Sequence, residues 1–264
     1  MTALYRGGVT IGSRRWLAGL TVAVVVGLVT PSWAAPPAFR ADTASVCELN
    51  IGGVTGTEPA GAAQDDILRA DLYIESDNAV TAPAGWSNTF NGTAALAEAN
   101  FAGKEFRHYG YWIRRGGSAP SFAWTWTGTL FSCVYITAYS DALASGDPWS
   151  FVNSAVRDDD VAKTFPDTSG TTLDADELLT WAGNNFDTPT SGVPPTGFTE
   201  REDAISTTIV EAGDLVQVTA GATGNITGAS YVGAVNSPAS AILAGLRPVS
   251  ATATPQRSLL GVGR

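Results

Sequence analysis

Thr81-Ala82-Pro83-Ala84-Gly85-Trp86 and Val193-Pro194-Pro195-Thr196-Gly197-Phe198 are two copies of one turn, and their spacing decides how the chain is read. Pro83 to Pro195 and Gly85 to Gly197 are each 112 residues. Each copy follows an acidic turn leading into an apolar run, Asp65-Asp66-Ile67-Leu68 before the first and Asp176-Glu177-Leu178-Leu179 before the second, with 111 residues between Asp66 and Glu177. Proline fixes φ at the second turn position, glycine supplies a positive φ, and the aromatic (Trp86, Phe198) returns to the core as a plug. An acidic turn, a strand and a Pro-x-Gly-aromatic turn, each occurring twice, predict two related halves at about 44–140 and 164–248, within one β domain spanning 35–248.

The residues around these turns read as strands. Ser45-Val46-Cys47-Glu48-Leu49-Asn50-Ile51 alternates apolar and polar side chains, the pattern of a strand with one buried face, and Gly52-Gly53 is expected to stop it. Similar runs follow at Ile67 to Ile74, Phe106 to Ile113, Phe122 to Thr127, Leu130 to Tyr139, Leu178 to Ala182, Ile205 to Thr219 with a break expected at Gly213, and Ala239 to Leu246. Only Thr93 to Phe101, rich in alanine with Leu96 and Glu98, reads as a short helix. Strands at this spacing between Gly-, Pro- and Asp-rich turns predict an all-β, antiparallel two-sheet sandwich, jelly-roll-like and built from two similar halves.

Composition agrees and narrows the function. In 264 residues, 44% apolar content with 8 Trp, 10 Phe and 7 Tyr is enough for a large core. A net charge of -10 opposes a phosphate backbone, which is bound through clustered Lys and Arg, so nucleic acid is a poor partner. Arg14-Arg15, an apolar run from Trp16 to Val29 and the small residues Ser32 and Ala34 form the layout of a signal peptide over 1–34, with cleavage expected after Ala34. No basic cluster follows the first 15 residues, so no membrane contact is expected beyond that segment. Cys47 and Cys133 are the only cysteines; an oxidising compartment would allow them to pair, and two buried free thiols are the alternative. The Ala-, Thr- and Pro-containing end, 249–264, reads as a flexible tail.

Further elements occur in a fixed order: Tyr111-Trp112, Ser121-Phe122-Ala123-Trp124-Thr125-Trp126, Ala138-Tyr139, Gly197-Phe198-Thr199-Glu200-Arg201 and Gly245-Leu246-Arg247-Pro248. Together with the two turns, this series resembles a β-sandwich module recurrent in phage tail, fibre and head-decoration proteins and in some bacterial secreted surface proteins, over residues 38–248. The resemblance implies a structural or adhesive role at a cell or virion surface, with protein partners, self-association or a larger assembly, and glycans as a further partner class. It carries no catalytic residues. A virion subunit needs no leader, so Arg14 to Ala35 leaves two readings open, cellular export and an apolar segment packed within a virion.

Three sets of residues bear on catalysis and metal binding. His108, the sole histidine, would have to serve any Ser-His-Asp arrangement; flanked by alternating Tyr and Trp and with no Gly-x-Ser-x-Gly elbow in the chain, it reads as a surface or strand-pairing residue. Glycan hydrolysis needs two carboxylates, and Asp65, Asp66, Glu75, Asp77, Glu200, Glu202 and Asp203 supply candidates from which no pair stands out. Asp158-Asp159-Asp160, followed by Asp167, Asp174 and Asp176, lacks the spacing of a helix-loop-helix calcium site and reads as a solvated loop, with Ca²⁺ as the alternative. No cofactor is expected otherwise. Trp86, Tyr109, Tyr111, Trp112, Phe122, Trp124, Trp126, Tyr135, Tyr139, Trp149 and Trp181 read first as core, with Phe122, Trp124 and Trp126 stacked on one strand face, and second as a sugar platform. The sequence thus favours a non-enzymatic surface protein, with a secreted carbohydrate-binding module and a carboxylate-based hydrolase as rivals.

Overall fold

The computed structural model describes residues 35–249 apart from 102–103, 159–162, 186–189, 206–207 and 233–237. The expected leader and the tail beyond Val249 lie outside the described residues. The strands are β1 (Ala38–Asp42), β2 (Val46–Thr55), β3 (Ile67–Ile74), β4 (Thr89–Phe90), β5 (Thr93–Ala94), β6 (Leu96–Phe101), β7 (Lys104–Arg114) and β8 (Ala123–Ser140). They continue as β9 (Trp149–Arg157), β10 (Thr171–Thr172), β11 (Glu177–Asn185), β12 (Ser191–Val193), β13 (Thr199–Ile205), β14 (Ile209–Gln217), β15 (Gly221–Ala222), β16 (Ser230–Val232) and β17 (Ala239–Leu246). The described residues contain no helix. The fold is all-β, and the sheets are antiparallel and open.

One sheet runs β1-β8-β3-β7-β6, with β2 paired to the other part of the long β8; the second runs β9-β17-β11-β14-β13. Ranked by chain position within its own half, each five-strand path reads first, fifth, second, fourth, third. The likeness extends to irregularities. β1 bulges against β8 at Arg40, between the pairs Phe39–Tyr139 and Ala41–Ala138, and β9 bulges against β17 at Ser150, between Trp149–Leu246 and Phe151–Gly245. Asp65 and Asp176 both have positive φ, 71° and 61°, just before the acids that open β3 and β11. Asp66 accepts the backbone N–H of Ala63 and Glu177 that of Asp174, each at 2.7 Å and each three residues back. The bulged residue then reaches the same acid: Arg40 Nε lies 2.7 Å from Asp66 Oδ2, and Ser150 Oγ donates to Glu177 Oε2. A bulge turns its extra residue out of the ladder, and a buried carboxylate needs partners, so each device supplies what the other lacks.

The paired turns match as well. Gly85 and Gly197 hold φ of 87° and 90°, and the N–H groups of Trp86 and Phe198 donate to the carbonyls of Pro83 and Pro195 at 3.2 and 3.0 Å. By strand order the two five-strand paths start at Ala38 and Trp149. The short edge strand β1, Ala-Phe-Arg-Ala-Asp, has no clean alternation and so gave no signal.

Every residue of β3 and β11 is buried, because both faces of each sheet are covered. Leu68, Ala70, Leu72 and Ile74 pack against Trp86, Tyr111, Phe122 and Trp124 of their own half, as Leu179 and Trp181 pack against Phe165 and Tyr231 of theirs. The opposite faces meet one another: Ile67 and Tyr139 pack with Leu178, Ile242 and Leu246, and Tyr73 and Tyr135 pack with Val210 and Ala212.

The structure corrects several local expectations. Thr93 to Phe101 is not a helix. Asn91 and Gly92 both have positive φ, 46° and 79°, and turn the chain between β4 and β5 as a two-residue hairpin does. Beyond it, Ala95, Ala97 and Ala99 are buried at period two. Alanine's helix propensity loses here to the need for small side chains on a strand lying near the other sheet. Gly52-Gly53 does not end β2; it carries a bulge where a Cβ on Gly53 would lie 2.3 Å from the Trp124 carbonyl oxygen. The runs expected on either side of Gly128 are one continuous β8. β14 passes straight through Gly213, where the Pro194 and Phe198 side chains crowd the position a Cβ would take.

Cys47 and Cys133 stand opposite each other on β2 and β8, with Cα atoms 4.1 Å apart and sulfurs bonded, closing a loop with a sequence separation of 86. Replacing both with alanine is expected to lower the unfolding free energy by about 2–4 kcal/mol in urea titrations. Equal stability of the reduced, oxidised and doubly substituted chains would contradict this.

Candidate functional site

Two places gather polar side chains. The first lies between the sheets. Arg69 projects from β3 toward β11 and β17 and is almost fully buried. Its Nε and Nη2 donate to Asp71 at 2.9 and 2.8 Å, and its Nη1 donates to the carbonyl and Oγ1 of Thr180 at 2.7 and 2.6 Å. Nη2 also reaches the Ile242 carbonyl at 3.2 Å. Arg69 and Thr180 are 111 residues apart, so equivalent positions of the two halves meet here.

His108 continues the network. It pairs with Tyr73 across β3 and β7, as a strand-pairing residue would, but it is not on the surface: the side chain is 2% exposed. Nε2 lies 3.2 Å from Asp71 Oδ1, and Nδ1 lies 3.1 Å from Ser240 Oγ on β17. Burial alone would raise the Asp71 pKa, but the charge of Arg69 and the bonds to His108 outweigh it and hold the carboxyl below its usual range. An ionised Asp71 accepts from Nε2–H, and Nδ1 shares a hydrogen bond with the Ser240 hydroxyl.

Asp71, His108 and Ser240 therefore stand in the order of a catalytic triad, a juxtaposition that no sequence spacing announced. Reactivity needs more than the line of contacts. Ser240 is 6% exposed, Asp71 is already held by Nε and Nη2 of Arg69, and the recess beside Tyr73, Ala97, Phe106 and Pro238 is too narrow for a water molecule. The arrangement satisfies buried polar groups and sets one sheet against the other.

The second place is an open recess of about 340 Å³ where the ends of β1, β3, β7 and β8 converge. Arg40, Gln64, Asp65, Arg114, Ser140 and Asp141 line it together with Ala142, Ala144 and Val249. Asp66 also borders it, so two of the seven candidate carboxylates come together here. The others are elsewhere. Asp77 offers its backbone carbonyl to Arg107, Glu202 accepts from the backbone and hydroxyl of Ser45, and Asp203 accepts the N–H of Gly192.

The carboxylate that the sequence reading missed is Glu211 on β14. It is fully buried, neither oxygen has a hydrogen-bond partner, and it stands directly across from Asp203. Burial, with the charges of Glu200, Asp203 and Glu202, pushes its pKa up to about 9, so it is neutral at physiological pH. A signal was present: Glu211 shares a strand face with Ile209 and Leu215, both of the second-half core.

Of the acidic run weighed for calcium, Asp159 and Asp160 lie outside the described residues, while Asp174 pairs with Arg247 at 2.7 Å. Among the described residues no group of three His, Cys, Asp or Glu side chains could hold a metal ion. The aromatic series is mostly core: Trp86, Tyr109, Tyr111, Phe122, Trp124 and Trp126 are buried, with Trp86 edge-on to Phe122 and Trp124 and its Nε1 donating to the Ser121 carbonyl at 2.8 Å. Trp112 is half-buried, its Nε1 donating to the Thr89 carbonyl at 2.7 Å.

Comparison with known proteins gave no match. No family model, no curated protein and no solved structure resembles the chain closely enough to be assigned.

Proposed function

We propose that this chain is a non-enzymatic structural or adhesive protein: a two-sheet sandwich, each half of the chain forming one sheet rather than the mixed sheets of a jelly roll, displayed by an exported surface or virion assembly. The observation that carries this reading is where the reactive side chains lie. The only histidine is shut between the sheets with its serine and aspartate. The large aromatics are packed, and none is exposed among the residues whose exposure is described. A flat aromatic sugar platform of the carbohydrate-binding rival therefore loses its support. The disulfide supports assembly or display in an oxidising compartment.

The deciding experiment is mass spectrometry of the protein from its native source, with the fraction recorded. A chain beginning at Ala35 in the medium supports export and sinks the virion form of the proposal; an intact N-terminus inside particles does the reverse; a chain confined to the cytosol and free of any assembly overturns both. Catalysis is checked separately. A fluorophosphonate probe is expected to leave Ser240 unlabelled in the folded protein, and stoichiometric labelling there would replace the structural reading with a hydrolase.

A further inference from the structure

The duplication extends to the chain that covers each sheet. In the first half Thr81 bridges Thr125, and in the second Val193 of β12 stands opposite Ser230 of β16. Thr81 and Val193 are 112 residues apart, the spacing of the Pro-x-Gly turns that follow them, so Val80 and Gly192 are equivalent. The sheet residues correspond too. Tyr109 stands across from Leu72 and Glu211 across from Gly183, and Leu72 and Gly183 keep the 111-residue spacing of Arg69 and Thr180. The two seats differ in chemistry. Val80 packs on the apolar cluster that includes Tyr109, Tyr111 and Trp126. Gly192 instead lays bare backbone on a carboxyl: a Cβ there would collide with Glu211 Oε2 and Ile209 Cδ1. Around that carboxyl, β13 brings Glu200, Glu202 and Asp203, and its one cation, Arg201, is bound to Asp214 of β14. β11 faces it with Gly183, β12 and β16 carry no charged residue, and the segment beside β16 carries Lys163, whose carbonyl accepts the Tyr231 N–H.

Glu211 is buried with neither oxygen hydrogen-bonded, a state tolerated only while the carboxyl is neutral; once ionised it requires water. The element that can yield at least cost is the one above it. β12 and β16 form a ladder of three residue pairs whose outward Val193 and Val232 are exposed, so the ribbon is held by one face. We propose that this ribbon is a proton-held flap, closed over Glu211 while the carboxyl is neutral and opening, ahead of the rest of the fold, when it ionises. Tyr231 of the flap sits edge-on to Phe165, so opening uncovers Phe165 together with Ile209. The second half thereby exposes an apolar surface on a proton signal, whereas the first, with Val80 on an apolar seat, has no carboxyl to trigger it. The closed-state pKa of about 9 and the ordinary 4.5 set the range: between them each opening releases one proton, which makes opening about tenfold easier per pH unit.

The test is amide hydrogen exchange of the full chain by NMR from about pH 6 to about pH 8, each rate divided by the intrinsic rate at that pH. Gly192 and Tyr231 report on the flap, since their N–H groups donate to Asp203 Oδ1 and to the Lys163 carbonyl. Their protection is expected to fall about tenfold per pH unit, to lie below that of Trp181 in the β11 ladder, and to be unchanged by urea short of the unfolding transition. Thr81, which donates to the Thr125 carbonyl, is the first-half control and should show no such slope. Glu211→Gln is expected to abolish the slope at Gly192 and Tyr231. Should that variant fail to fold, Gly192→Ala decides: its methyl props β12 off the carboxyl, so protection of Tyr231 should drop about tenfold or more already at about pH 6 while Trp181 keeps its own. A flat profile at Gly192 and Tyr231, or a fall that urea deepens in step with Trp181, overturns the flap. The second of these outcomes would leave the effect of Glu211 on global stability standing.

Discussion

Replacing Arg69 with methionine is expected to lower the unfolding free energy by about 3–5 kcal/mol, because it leaves a buried carboxylate without its countercharge. The guanidinium makes five contacts in one place, two to Asp71, two to Thr180 and one to Ile242, and it belongs to β3 while three of those acceptor atoms belong to the other sheet. The pH dependence separates this cause from simple loss of packing. In the unaltered protein Asp71 has a lowered folded-state pKa, so its contribution is present above the unfolded value of 3.8 and is lost as pH falls through the folded value. Without Arg69, burial dominates and the folded-state pKa rises, so the variant should lose stability as pH rises above the unfolded value. Asp71→Leu added to Arg69→Met is expected to recover much of the loss, since a buried pair contributes little over an apolar one of similar volume. Urea titrations across acid and neutral pH check all three statements. A single variant within about 1 kcal/mol of the unaltered chain would mean that the space between the sheets is open to water.

How much of this was legible in the sequence depended on whether the signal was local. Pro83-x-Gly85-Trp86 and Pro195-x-Gly197-Phe198 were readable because turn chemistry is fixed by neighbouring residues, and their 112-residue spacing exposed the duplication without any fold knowledge. β3 was readable as a strand, but nothing local marked Arg69 and Asp71 as buried; their burial follows from a second sheet arriving from residues more than a hundred positions away. For the same reason His108 could be placed on a strand but not between Asp71 and Ser240. The alanines of β6 misled because alanine is compatible with either periodicity. Its partner strand β7 and the Asn91-Gly92 hairpin settle the conformation. The recess was invisible for a different reason: Arg40, Asp65, Arg114 and Asp141 come from four separate chain segments, and only the bulge in β1 and the ends of β3, β7 and β8 bring them to one corner.

Glu211 gives the second large effect, with the opposite slope. Its pKa is raised from 4.5 to about 9 in the folded protein, so between these values the unfolded chain releases a proton that the folded chain retains. Stability should therefore fall as pH rises through this window, by at most about 1.4 kcal/mol per pH unit, or roughly 4 kcal/mol between about pH 5 and about pH 8. Glu211→Gln removes the ionisable proton while keeping the shape, and is expected to flatten that part of the profile and to exceed the unaltered protein in stability at about pH 8. Glu177 and Glu202, also raised by burial, remain in both proteins, so the difference between the two profiles isolates residue 211. The cause is structural. A Cβ on Gly192 would meet Glu211 Oε2 at 2.2 Å, so β12 seals the carboxyl against the sheet, and Asp203, across from it on β13, accepts the Gly192 N–H and adds a like charge. Matching profiles for Glu211→Gln and the unaltered chain would show that water reaches this carboxyl and that β12 does not cover it.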